Sequence, residues 1–212
     1  MCIRDSDTML GDTLPPYFYD RDVTLVAREL LGKFVVRRTR AGLCAGRIVE
    51  TEAYLAADDS ASHSFRGRTK KNAAMFGPPG RAYVYPIHSR YCMNAVTEAR
   101  GCASAVLIRA VEPLAGIEIM QQGRGTDKLL DLCRGPARLC EAFSIDRCLD
   151  GWNLTRGERL WIANDDSISS ATVHITTSTR IGVTSAHTAQ LRFFIDGSPF
   201  VSGPKRLHRT KP

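Results

Sequence analysis

No stretch of the chain approaches the roughly 18 consecutive apolar residues that a membrane span requires. The opening Met1–Asp12 lacks the apolar centre of a signal peptide and reads as a disordered or adventitious leader. The seven cysteines (2, 44, 92, 102, 133, 140 and 148) contain no Cys-x-x-Cys pair, and no two histidines stand three to five residues apart. That disfavours zinc or iron–sulfur ligation. An odd number at irregular spacing suits buried small hydrophobes in a reducing compartment, with Cys133, Cys140 and Cys148 as helix packing rather than a redox device. No G-x-x-x-x-G-K-[ST], G-x-G-x-x-G, H-E-x-x-H or G-x-S-x-G motif occurs. Phosphate-loop, dinucleotide, zincin and hydrolase-elbow chemistries are therefore disfavoured, and carboxylate chemistry without metal or cofactor remains.

Negative charge is also unevenly missing. Ala61–Arg90 holds no Asp or Glu, while Arg66, Arg68, Lys70, Lys71, Arg81 and Arg90 are basic. His63, Phe65, Phe76, Tyr83, Tyr85 and His88 fall in the same stretch. Cations interleaved with flat rings suit a polyanion whose bases can be stacked, although a solvated basic face with some core aromatics has the same composition. No acid follows Asp196, and Lys205, Arg206, Arg209 and Lys211 make a basic tail. The formal charge of +7 and a pI near 9.2 lean the same way.

Against this stands one acidic run, Arg47-Ile-Val-Glu-Thr-Glu-Ala-Tyr54. Ile48, Val49 and Thr51 favour a strand, on which Glu50, Glu52 and Tyr54 share a face. Two acids this close repel when both are ionised, and an apolar wall adds to the effect, which is how a general base acquires a raised pKa. The alternative is a solvated strand face ending in a tyrosine.

At 212 residues, 43% hydrophobic and 24% charged, the chain suits one generous domain. Asp22 can cap a helix over 23–31 that stops at Gly32. Strands are expected at 33–39, 45–54, 81–87, 92–97, 105–111, 159–162, 172–177 and 191–195. A short helix fits 72–76, Pro113 should end its strand, residues 114–122 read as helix, and Gly135-Pro136 can start another through Phe143. Strands dominate without βαβ alternation, which predicts an α+β fold: one domain over 13–203, a mostly antiparallel sheet with inserted helices, then the tail 204–212.

Several segments then resemble one family. They are Gly46-Arg-Ile-Val-Glu-Thr-Glu-Ala-Tyr54, Ala74-Met-Phe-Gly-Pro-Pro-Gly80, Ala82-Tyr-Val-Tyr85, Cys92-Met-Asn94 and Ala105-Val-Leu-Ile-Arg-Ala-Val-Glu-Pro113. Arg134-Gly-Pro-Ala-Arg-Leu-Cys140, Arg180-Ile-Gly-Val183 and Leu191-Arg-Phe-Phe-Ile-Asp-Gly-Ser-Pro199 continue the series. Together, from about Tyr17 to Val201, they resemble the alkyladenine (3-methyladenine) DNA glycosylases. The resemblance implies a single mixed domain whose curved sheet carries a protruding DNA-binding β-hairpin, and a metal-free, monofunctional base-excision repair enzyme that flips alkylated or deaminated purines from double-stranded DNA through the minor groove. It implies Glu52 as the water-activating base and Tyr54, His63, Tyr85, Asn94 and Ile181 as the base pocket. It places Arg109 near the flipped nucleotide's backbone, although an arginine in an apolar strand could instead form an ion pair with Glu112 or Glu50.

One departure concerns the wedge that fills the gap left by the flipped base, a tyrosine in an Ile-Tyr-Gly-Met context in the family. Here Tyr85-Pro-Ile-His-Ser-Arg-Tyr91 is one residue shorter. His88 is the expected wedge and Ile87 the alternative. The resemblance further implies a monomer without membrane attachment, cytoplasmic in a bacterium or nuclear in a eukaryote. Two other classes fit less well: a DNA-binding domain without catalysis, and a glycosidase for free nucleosides, which leaves the basic hairpin without a role.

Overall fold

A computed structural model describes residues 11–165 and 174–208. Expectations for the leader up to residue 10, the start of the 172–177 strand and the tail beyond His208 lie outside the described residues. Two short helices open the chain, α1 at Pro16–Tyr19 and α2 at Val23–Glu29. The Asp22 carboxylate accepts from the amides of Thr24 and Leu25, satisfying donors that the first turn leaves free. Gly32 ends this segment at φ +86°, a conformation open to glycine.

Strands β1 (Phe34–Thr39), β2 (Gly42–Tyr54), β3 (Ala82–Ile87), β4 (Arg90–Thr97) and β5 (Ser104–Ala115) follow. The helices α3 (Ile117–Arg124), α4 (Leu129–Leu132) and α5 (Pro136–Ala142) come next, then β6 (Leu160–Ala163), β7 (Ile175–Ser178) and β8 (Arg192–Ile195). Among the described residues all pairings are antiparallel in one curled sheet ordered β3-β4-β5-β2-β1-β6. Strand β2 is long enough to serve two neighbours on one edge. Its first half pairs with β1, and Glu50–Glu52 pair with β8, which in turn pairs with β7. The α+β reading holds.

Several boundaries differ from expectation, most of all the end of β5 and the helix start after it. Strand β5 runs through Pro113 to Ala115, because Pro113 sits opposite Gly46 where the β2–β5 register shifts, and β4 has already ended. At such a break the missing N–H of proline costs no ladder bond. The helix therefore begins later, at Ile117, after Gly116 turns at φ +71°. The main core lies between the sheet and α2, α3 and α5, and includes Val26, Ile48, Val106, Ile108, Met120, Leu139 and Phe143. Four cysteines (44, 92, 133 and 140) are buried, whereas Cys102 and Cys148 are exposed, so helix packing does not explain Cys148.

Candidate active site

The acidic run folds into β2 with a bulge. Ile48 opposes Val111 and Glu50 opposes Ala110, leaving Val49 as the extra residue; the next pairing, Thr51 with Ile108, skips Arg109 on the other strand. Bulges re-aim side chains. Ile48 and Ala53 join the main core, and the Thr51 hydroxyl donates to the Ala27 carbonyl of α2. Glu50 and Glu52 converge instead on Arg109, beside Tyr54.

Neither glutamate is solvated: both are 0% exposed. Arg109, 7% exposed, donates from Nε to Glu50 (3.2 Å) and from Nη1 to Glu52 (3.1 Å). Its remaining nitrogen meets the Ser202 hydroxyl at 3.3 Å. Burial pulls the Arg109 guanidinium down, but Glu52 and then Glu50 more than offset that, and its pKa is raised. The like-charge repulsion foreseen for the two acids is thus countered by a shared cation. Glu112, the other candidate partner, lies beside Arg47 instead, at 3.7 Å.

Glu52 accepts two further hydrogen bonds, from the Tyr54 hydroxyl at 2.9 Å and from the Ile181 amide at 2.7 Å. The Ile181 carbonyl lies 3.5 Å from Arg109 Nη1. Ile181 therefore serves the acid through its backbone, and the aliphatic lining expected of it comes from its neighbour Val183. Burial, followed by the Glu52 charge, pushes the Tyr54 phenol up, so it remains a donor.

Over this cluster opens a cleft of about 530 Å³, lined by Tyr54, His63, Tyr83, Tyr85 and Asn94, with Phe65, Arg66 and Ile87 also in its wall. His63 stands edge-on to Tyr85 with centroids 4.5 Å apart, and its Nδ1 shares a 2.8 Å hydrogen bond with the Tyr83 hydroxyl. Burial lowers the imidazole's pKa and raises the Tyr83 phenol to about 12, so both favour the neutral form. The Asn94 amide donates to the Tyr83 carbonyl at 3.0 Å, which fixes its orientation. Ile87 and His88 are exposed at the tip of the β3–β4 hairpin, His88 at φ +52° in the two-residue turn. Arg90 beside them reaches Glu141 of α5 at 2.6 Å, bracing the tip.

Sequence reasoning gave no role to three side chains that support this arrangement. Arg192 is 0% exposed and donates Nε to Glu50 at 2.6 Å. Arg180 lies 4.6 Å from the Tyr54 ring centroid and is held by both Asp59 oxygens at 2.6 and 2.7 Å. Arg192 stands between Leu191 and Phe193-Phe194, so the signal that singled out Arg109, a cation in an apolar strand, was present there too.

A family model described as methylpurine-DNA glycosylase matches residues 17–199. The chain belongs to this family. A relative from Mesorhizobium japonicum is 49% identical over 187 residues, covering 88% of each chain. One from Rhodopirellula baltica is 46% identical, covering 93% of this chain and 86% of its own. One from Carboxydothermus hydrogenoformans is 44% identical over 89% of this chain and 98% of its own. All three are named provisionally as 3-methyladenine DNA glycosylases. Membership in the methylpurine-DNA glycosylase family makes the chain a DNA-repair hydrolase of N-glycosidic bonds.

Proposed function

We propose that this glycosylase flips an alkylated or deaminated purine out of duplex DNA and hydrolyses its bond to C1′ with a water activated by Glu52. The observation that carries the reading is a buried carboxylate held by Tyr54, Arg109 and the Ile181 amide directly behind an aromatic cleft. A carboxylate can accept about four hydrogen bonds, and Glu52 uses three here, so its acceptor capacity is not exhausted. Glu52 takes a proton as the water oxygen bonds to C1′, and the C1′–N bond breaks with its electrons leaving on the purine. The transition state is oxocarbenium-like, and the same carboxylate stabilises its charge.

The pocket residues have complementary tasks. Tyr54, His63 and Tyr85 offer faces and edges to the extruded base, and aromatic faces attract an alkylated, cationic purine more than a neutral one. Asn94, its amide pinned to the Tyr83 carbonyl, is suited to exclude a guanine amino group by clash. Arg109 holds Glu52 on the side of the flipped nucleotide's backbone. The exposed hairpin tip enters the minor groove, with His88 as wedge and Ile87 beside it. The chain is read as a monomer acting on chromosomal DNA, and relatives of bacterial origin are in keeping with a cytoplasmic place of action.

The deciding experiment is single-turnover release of base from duplexes containing 3-methyladenine, hypoxanthine or ethenoadenine, with a chelator present. Wild type should release at least one lesion base, and Glu52→Gln should lose at least about 100-fold in rate with duplex binding retained. Wild-type binding without release of any lesion would favour the non-catalytic module instead.

A further inference from the structure

Glu50 does not line the cleft, yet it is as deeply buried as Glu52 and more heavily tied. Its Oε1 accepts from Arg109 and from Arg192, and its Oε2 accepts the Ser202 amide at 2.7 Å. Arg192 is itself fixed by the Ser178 hydroxyl and the Leu207 carbonyl, at 2.9 and 2.7 Å. Two acids and two arginines thus form a charge-balanced cluster in which Arg109 is divided between the carboxylates. A cation held by one carboxylate alone would make that group a poor base, because opposite charge favours the ionised form.

We propose that Glu50 is a positioning residue: by taking the Nε of Arg109 it leaves only Nη1 for Glu52, so that the guanidinium does not close on Glu52 alone and occupy the oxygen that must meet the attacking water. The inference rests on the reading of Glu52 as the general base. The charged and titratable groups around Glu52 are Glu50 and Tyr54 on β2, Arg109 on β5, Arg192 opposite it on β8, Cys92 on β4, and Arg180 beyond Tyr54. Glu50 carries the same charge as Glu52, and Arg109 and Arg192 carry the opposite one. Removing Glu50 and removing Arg192 must therefore act in opposite directions.

An N-alkylated purine leaves without prior protonation, so the acid limb of its excision rate reports the base alone. Single-turnover pH profiles on such a duplex form the test. For Glu50→Gln the limb should move down by about one pH unit, with a lower plateau and little change in KM. For Arg192→Gln it should move up, and Arg192→Lys should restore it. A purely structural role would lower both rates with the limb in place, which overturns the proposal. Should either variant fail to fold, Glu50→Asp decides, because it keeps the charge and shortens the reach to Arg109: its plateau should fall, and an unchanged profile overturns the proposal. Loss of activity in Glu52→Gln with no limb shift in Glu50→Gln sinks this inference alone, whereas an active Glu52→Gln sinks the reading beneath it.

Discussion

Single residues in this chain matter chiefly through the partners they neutralise. Asp59, 3% exposed, shows this most simply. Burial raises its carboxyl, but the Arg180 hydrogen bonds and the Leu55 and Ala61 amides prevail, and its pKa falls below the usual carboxylate value. The unfolded chain then binds this proton more readily than the folded one, so stability is lost as pH drops through the carboxylate range and is fully present above it. Asp59→Asn should be destabilised by about 3–5 kcal/mol at neutral pH, because Arg180 is left buried without its counter-charge. Its melting temperature should also fall less steeply than that of wild type below about pH 4. A parallel decline in both proteins would detach Asp59 from the acid response. The same logic explains why the paired acids are legible in the sequence and the contacts that hold them only partly so, Arg109 with Glu50 being among those expected and Arg192 not. An acid spaced two residues from another acid and from a tyrosine is visible in one dimension, whereas Arg109, Arg192 and Ile181 arrive from distant strands and a loop.

Elements here are defined by where they stop and bend. Gly116 separates β5 from α3 at φ +71°, and a Cβ there would sit 2.3 Å from the Leu43 carbonyl. Gly116→Ala should cost about 2 kcal/mol or more, read as a shift in denaturant midpoint. A neutral result would mean that the β5–α3 corner relaxes freely. The hairpin gives a kinetic counterpart. Its tip is short, and His88, the proposed wedge, has less surface than a tyrosine. His88→Ala should therefore slow excision from stably paired sites more than from mismatched ones, which cost less to open. Equal losses on both substrates would remove His88 from the wedge role. The helix over Val23–Glu29 was legible because Asp22 and Gly32 are local signals with local causes. The end of β5 was misread because proline is a breaker only where its N–H is needed. Whether it is needed depends on the Gly46 register shift across the sheet.

At the scale of the whole molecule, a formal charge of +7 and the acid-free basic stretch point to binding dominated by phosphate contacts. Duplex affinity should fall by at least about 10-fold between 50 and 200 mM salt, and Arg66→Ala should reduce the log–log slope by about one. A flat salt response would show that the basic stretch does not meet the backbone. Strand alternation, the Gly and Pro punctuation and the absence of βαβ spacing were enough to reach an antiparallel α+β fold. These are short-range properties carried by neighbouring residues. The sequence by itself also determined the groups available: two acids on one strand face, and rings and cations in a stretch without acids. Only the tertiary structure decided how that chemistry is arranged. The bulges at Val49 and Arg109 set which side chains share a face, and β8 closing on Glu50–Glu52 brings Arg192 to the acids. The loop after Arg180 delivers the Ile181 amide to Glu52. The physical reason is that a buried charge is stable only with partners, and in this chain most of those partners lie more than fifty residues away.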